Sequence, residues 1–125
     1  MDTARPTIVC LCGSTRFWRT FQEASLRETL AGKIVLSIGA ARAADDDDQT
    51  FGGYCPVGDF DAVKGRLDTL HLRKIDLADE VLILNCDDYI GDSTARELCY
   101  ARVYGKVVRW LQPSRYRIDG EVCDA

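Results

Sequence analysis

The chain is constrained most by its alternation of short apolar runs with segments of helical period. The runs are Thr7 to Leu11, Lys33 to Ile38, Glu80 to Cys86 with Val81-Leu82-Ile83-Leu84 inside it, and Lys106 to Leu111. Short runs of this kind, dense in Val, Ile and Leu, suit strands covered on both faces. Between the first two, Phe17, Phe21 and Ala24 form a stripe flanked by Trp18, Leu26 and Leu30. That spacing predicts a helix from about Arg16 to Ala31, stopped by Gly32. Val63, Leu67, Leu70 and Ile75 predict a second helix over Asp61 to Leu77, with Asp61 as its cap. Asp92-Ser93 should cap a third through Tyr104, ended by Gly105.

Strand, helix, strand, helix, strand, helix, strand implies the α/β class: a doubly wound parallel sheet of the Rossmann or flavodoxin type, with right-handed crossovers. A length of 125 residues suits a single domain, 1–125, with one core. The connection 39–58 is small, acidic and glycine-bearing, with no period of either kind. The tail beyond Pro113 carries a turn signal at Asp119-Gly120 and leaves room for a fifth strand. If strand one is central, in the order 2-1-3-4, the loops after strands one and three diverge to opposite faces and open a ligand crevice. Those loops are Gly13 to Arg16 and Asn85 to Ser93, the chemically richest segments of the chain.

Charge narrows the partner. Twenty acidic residues face 16 basic ones, and Asp45 to Asp48 alone match the net charge of -4. With no Lys/Arg stripe, polymeric nucleic acid is not an expected partner, while a small phosphorylated ligand stays open. No apolar stretch approaches the ~20 residues of a membrane span, and Met1 to Pro6 lacks a signal-peptide layout, so the expected location is cytoplasmic. Cys10, Cys12, Cys86 and Cys99 sit in apolar segments, as reduced thiols do. Cys55 and Cys123 lie near turns and are expected to be exposed. Cys10-x-Cys12 puts both thiols on one strand face, but without a Cys-x-x-Cys pair or a neighbouring histidine, so neither a metal nor another cofactor is expected.

Two segments carry candidate chemistry. Gly13, Ser14, Thr15 and Arg16 at a helix start suit an anion, through free N–H groups, the helix dipole and a guanidinium fork. They equally suit a plain cap, with Ser14 or Thr15 capping and Arg16 on the surface. Glu97 stands one turn into the third helix, after Asp92, Ser93 and Thr94. A carboxylate near a helix N-terminus is expected to stay ionised, as a nucleophile must. Thr94-Ala95-Arg96-Glu97 also fits a capping box, and local sequence favours that reading. Asp87 and Asp88 could bind a metal or a sugar hydroxyl, although paired aspartates in a polar loop are usually solvated.

At these segments the chain resembles the nucleoside 2-deoxyribosyltransferase superfamily, nearest its branch of 2′-deoxynucleoside 5′-monophosphate N-glycosidases and related nucleotide hydrolases. Cys12-Gly13-Ser14-Thr15-Arg16 is similar to that branch's phosphate-handling loop. Glu97-Leu98-Cys99-Tyr100-Ala101, followed by Gly105-Lys106-Val107-Val108, resembles the family's Glu-Leu-Gly-x-Ala segment and the Gly-Lys before its last core strand. Leu77-Ala78-Asp79-Glu80-Val81 is similar to the Ala-Asp-Val entry to strand three. The likeness spans most of Thr7 to Leu111 and is specific only in combination.

The resemblance implies that Glu97 is the nucleophile or oxocarbenium stabiliser at the anomeric carbon of a nucleoside or nucleotide, which reverses the capping-box preference. It implies that Arg16 and the backbone of Gly13 to Thr15, with Asp92 and Ser93, bind substrate. It also implies a homodimer or larger homo-oligomer, for which Trp18 and Trp110 are candidate contacts. Two positions depart from the pattern. The family's aspartate in the helix before strand three falls here on His71, the only histidine, with Asp68 three residues earlier and Asp76 five later. His71 or Asp68 is therefore the expected acid or base, against the alternative of a structural histidine. Cys10 stands where the N-glycosidase branch has a tyrosine, and Tyr54 or Tyr89 would have to supply a phenol. The expected function is cleavage or exchange of an N-glycosidic bond. The alternatives are a non-catalytic nucleotide-binding module and an interaction protein whose acidic Asp45 to Asp48 loop meets a basic partner.

Overall fold

A computed structural model of the chain describes residues 5–38 and 60–114, with side chains of the second segment described from Lys64 onward. The elements are β1 (Ile8–Cys12), α1 (Trp18–Leu30), β2 (Ile34–Leu36), α2 (Phe60–Leu77), β3 (Glu80–Ile83), α3 (Asp92–Val103) and β4 (Val107–Trp110). Single 3-10 turns at Thr15–Phe17 and Cys86–Asp88 precede α1 and α3. The sheet is parallel throughout, as the strand and helix alternation predicts, and its order is β2-β1-β3-β4, the one expected if strand one is central. β1 is central, with Cys12 level with Ile83 and Cys10 level with both Val81 and Leu36.

The period-2 alternation of the strands divides the core in two. Cys10, Cys12, Val81 and Ile83 pack against Ile75 and Ala78 of the α2 end and Leu98 and Ala101 of α3. Val9, Leu11, Leu82 and Leu84 pack against Phe21 and Ala24 of α1. Helices therefore cover both faces, the arrangement that right-handed crossovers give when the chain reverses its direction along the sheet. Each fully buried Val, Leu, Ile or Phe contributes about 1.5–3 kcal/mol. Trp110 packs on the α2/α3 side of this core.

Several motif residues hold the scaffold. Asp79 accepts from Ile8 N–H at 2.9 Å and takes both guanidinium nitrogens of Arg5 at 2.7 and 2.8 Å, tying β1 to β3 at their starts. The Arg5 hydrogen bonds, followed by that of Ile8, lower the Asp79 carboxyl to about 2. Lys106 donates its ammonium to the Asp76 and Ala78 carbonyls at 3.0 and 2.9 Å, satisfying acceptors at the end of α2. Gly32 and Gly105 end α1 and α3 with φ of 90° and 73°, conformations that favour glycine.

The helix starts differ from the sequence reading. The α-helix of the first crossover begins at Trp18, after the 3-10 turn, and Ser14 caps that turn. α3 has Gly91 as its N-cap with no side-chain cap, so Asp92 and Ser93 lie inside the helix. Thr94 is then also internal, and the capping box does not form. Within the third apolar run the strand ends at Ile83, although the Leu84 N–H still pairs with the Cys12 carbonyl at 2.8 Å. The connection 39–58, with Asp45 to Asp48, Tyr54 and Cys55, lies outside the described residues. So do Asp61 as a capping side chain and the tail with its expected hairpin, fifth strand and Cys123. No described helix is long and apolar enough to cross a membrane. Cys10, Cys12, Cys86 and Cys99 form no disulfide among the described residues.

Candidate functional site

The sheet alternation that buries Cys10 and Cys12 turns both thiols toward α2 and α3. His71, one turn before Ile75 on α2, meets them there. Its Nε2 lies 3.5 Å from Cys10 Sγ and 3.5 Å from Cys12 Sγ. Glu97, on the second turn of α3, brings Oε1 to 3.9 Å from the same nitrogen. Cys10 and Cys12 are 0% exposed, His71 4% and Glu97 8%. Glu97 Oε1 is buried and, among the described residues, has no hydrogen-bond partner. An uncompensated carboxyl oxygen of this kind is costly to bury.

Burial raises the Glu97 carboxyl to about 7, with Cys10 and Asp68 adding to the rise while His71 and the Cys12 thiol oppose it. The expectation of a fully ionised carboxylate at neutral pH is thereby corrected: desolvation outweighs the helix terminus. Burial lowers the His71 imidazole, but the Cys10 hydrogen bond and the charges of Cys10 and Glu97 outweigh it, leaving a net rise. The Cys12 hydrogen bond lowers the Cys10 thiol, while the same bond and burial raise Cys12.

Glu97 opens on a small cleft of about 50 Å³ lined also by Asp68, Leu72, Ser93 and Arg96. Lys64 bridges its mouth, with Nζ 3.0 Å from Asp68 Oδ2 and donating to Ser93 Oγ at 3.3 Å. Arg96 Nη2 donates to the same hydroxyl at 3.4 Å. Asp92 is the exposed first residue of α3. Thus Asp68 and Ser93 share the cleft with Glu97, whereas His71 lies behind the carboxylate and is not part of the lining.

The loop after β1 forms a second group. Ser14 Oγ accepts from the Arg16 N–H at 3.2 Å, so Ser14 acts as the cap of the turn, as the plain-cap alternative expects. The Arg16 guanidinium lies 4.4 Å from the centre of the Tyr89 ring, and Phe17 meets that ring edge-on at 5.9 Å. Tyr89 therefore joins the two crevice loops. A Cβ on Gly13 would stand 3.0 Å from Leu84 Cβ and 3.2 Å from the Leu84 carbonyl, so the loop needs glycine there for close approach to β3. Cys12, the residue before Gly13, connects this group to Glu97.

The segment after β3 is strained: Asp87 and Asp88 adopt φ of 53° and 57°, a left-handed conformation that aspartate tolerates better than most residues. Asn85, fully buried, donates to the Gln112 carbonyl at 2.9 Å and accepts from the Gln112 N–H at 3.0 Å, anchoring that segment to the exit of β4.

Sequence reasoning missed Lys64, Arg96 and Asn85, and it missed the thiols as neighbours of Glu97. The spacing Lys64, Asp68, His71 already puts all three on one helical face. The finding that no histidine neighbours Cys10 and Cys12 in sequence did not hold in space, because α2 crosses β1. No protein-family model and no curated protein matches this chain.

Proposed function

We propose that the protein cleaves or transfers the N-glycosidic bond of a nucleoside or (deoxy)nucleoside 5′-monophosphate, with Glu97 as nucleophile, as in the nucleoside 2-deoxyribosyltransferase superfamily it resembles. The observation that carries the reading is Glu97 itself. It is a buried carboxyl with an unpartnered oxygen, beside the switch point of a parallel sheet, opening on a cleft that holds a second carboxylate. Ligands of such sheets bind at that place.

In the mechanism, ionised Glu97 attacks C1′ and the C1′–N bond breaks with its electrons going to the base. The departing base takes its proton from solvent in the cleft, where Asp68, held by Lys64, is placed to orient the base or the attacking water. Water, or the nitrogen of a second base, then takes the sugar from Glu97 and loses its proton, restoring the carboxylate. His71 is a positioning residue, stabilising the ionised carboxylate from behind. A 5′-phosphate has cationic partners in Arg16 with the Gly13 to Thr15 backbone, and in Lys64 and Arg96 around Ser93.

A non-catalytic nucleotide-binding module is the second reading, favoured by the elevated Glu97 carboxyl, which leaves much of the site protonated at neutral pH. Incubation with a panel of nucleosides and monophosphates, following free base by chromatography, separates the two. Release that Glu97→Ala abolishes supports the enzyme; a ligand that raises Tm with no base released supports the module; release undiminished in Glu97→Ala removes that glutamate from the chemistry.

A further inference from the structure

We propose that Cys10, Cys12 and His71 form a binding site for one soft divalent cation of the zinc class, with Glu97 closing the coordination as fourth ligand. The three first-named donors lie within 4.8 Å of one another. In a tetrahedral zinc site, with Zn–S near 2.3 Å and Zn–N near 2.0–2.1 Å, a sulfur and a nitrogen sit roughly 3.5 Å apart. Both sulfur–nitrogen separations here are 3.5 Å. The corresponding oxygen–nitrogen edge is roughly 3.3 Å, and a small rotation of the Glu97 side chain from its 3.9 Å separation supplies it.

Hydrogen bonds run from His71 through Cys10 and Cys12 to Glu97, but they leave Glu97 Oε1 without a partner among the described residues and both thiols crowded on one nitrogen. One imidazole nitrogen offers one proton or one lone pair, and so satisfies one thiol. Two thiols stand equally close to it, and a carboxyl oxygen faces it without a partner of its own. A cation at the centre satisfies all four at once. Thiolate, imidazole and carboxylate together suit zinc or cobalt better than magnesium or calcium, which take oxygen shells. On binding, the protons carried by the Cys10 and Cys12 thiols, the Glu97 carboxyl and the ligating His71 nitrogen pass to solvent. The cleft reaches the outermost of the four ligands, Glu97. That a bound ion also halts turnover, by occupying the nucleophile, rests on the function proposed above; the site itself does not.

Cobalt(II) titration of the reduced, chelator-stripped full chain tests the site. The expected result is a thiolate-to-cobalt charge-transfer band saturating at one equivalent and displaced by zinc. The band should persist when Cys55, Cys86, Cys99 and Cys123 are all replaced by Ser, which leaves the buried pair as the only thiols. Adding His71→Gln should weaken binding by at least roughly tenfold, since losing even an outer-shell partner costs that much. No band in the wild-type chain, or a band that disappears with the other four cysteines, overturns the proposal. Base release measured with and without zinc is scored separately: a band with no turnover under any condition keeps the metal site and rejects the enzyme.

Discussion

Replacing Glu97 with Gln should make the protein more stable at alkaline pH while abolishing base release. Burial holds the Glu97 carboxyl near 7 against an ordinary value of 4.5. The folded state therefore binds this proton more tightly than the unfolded chain, and stability contributed by the protonated form declines as pH rises through that interval. At about 1.4 kcal/mol per pH unit, full ionisation costs roughly 3 kcal/mol. Glutamine has nearly the same shape and cannot ionise, so it escapes the penalty. Urea denaturation of both proteins at pH 4 and pH 8.5, with chelator and reductant present, gives the comparison. Between those pH values the stability difference should move by roughly 3 kcal/mol in favour of Gln, on the order of 10 °C in Tm. Any constant cost of burying the amide cancels. His71 and Cys10 titrate in both proteins, and only their coupling to Glu97 survives the subtraction. A difference that does not change with pH would refute the claim that burial of this carboxyl dominates the site.

Three further outcomes follow from the same geometry. Base release should rise through about pH 7 as Glu97 ionises, and a rate already at plateau by pH 5 would place the ionisation elsewhere. Gly13→Ala should lower stability by about 1–3 kcal/mol, because its Cβ meets Leu84 side chain and backbone; an unchanged urea midpoint would show that the β1 loop has slack. Asp79→Asn should lower stability at neutral pH, and the gap should close as pH falls from about 4 through about 2, since Arg5 and the Ile8 N–H favour the ionised carboxylate. A gap that is the same at pH 7 and pH 2 would leave the Arg5 pairing without a role.

The fold was legible because its signals are local or periodic. Val81 to Leu84 reads as a strand buried on both faces, and Gly32 and Gly105 stand where left-handed turns end α1 and α3. The helix starts were less legible. Thr94 and Glu97 have capping-box spacing, yet the chain turns at Gly91, and no side-chain pattern marks a glycine cap. Glu97, Asp68 and Ser93 were candidates on sequence alone, and the structure places them on the lining of one cleft. The cluster beneath them was hidden, since it depends on which helix covers which face of β1. Cys10 and Cys12 are 59 or more residues from His71, and only the crossover through α2 brings them together. The Glu97 carboxyl was misjudged for a related reason: the helix terminus is visible in sequence, whereas desolvation by a packed neighbour is not.

The central claim is that Glu97 carries the sugar, and intact-protein and peptide mass spectrometry of rapidly quenched reactions with a deoxynucleoside 5′-monophosphate tests it most directly. The account predicts a sugar-phosphate adduct on the peptide containing Glu97, formed as base is released and absent in Glu97→Gln. Base release that proceeds in Glu97→Gln at the wild-type rate, or an adduct on another residue, would contradict it.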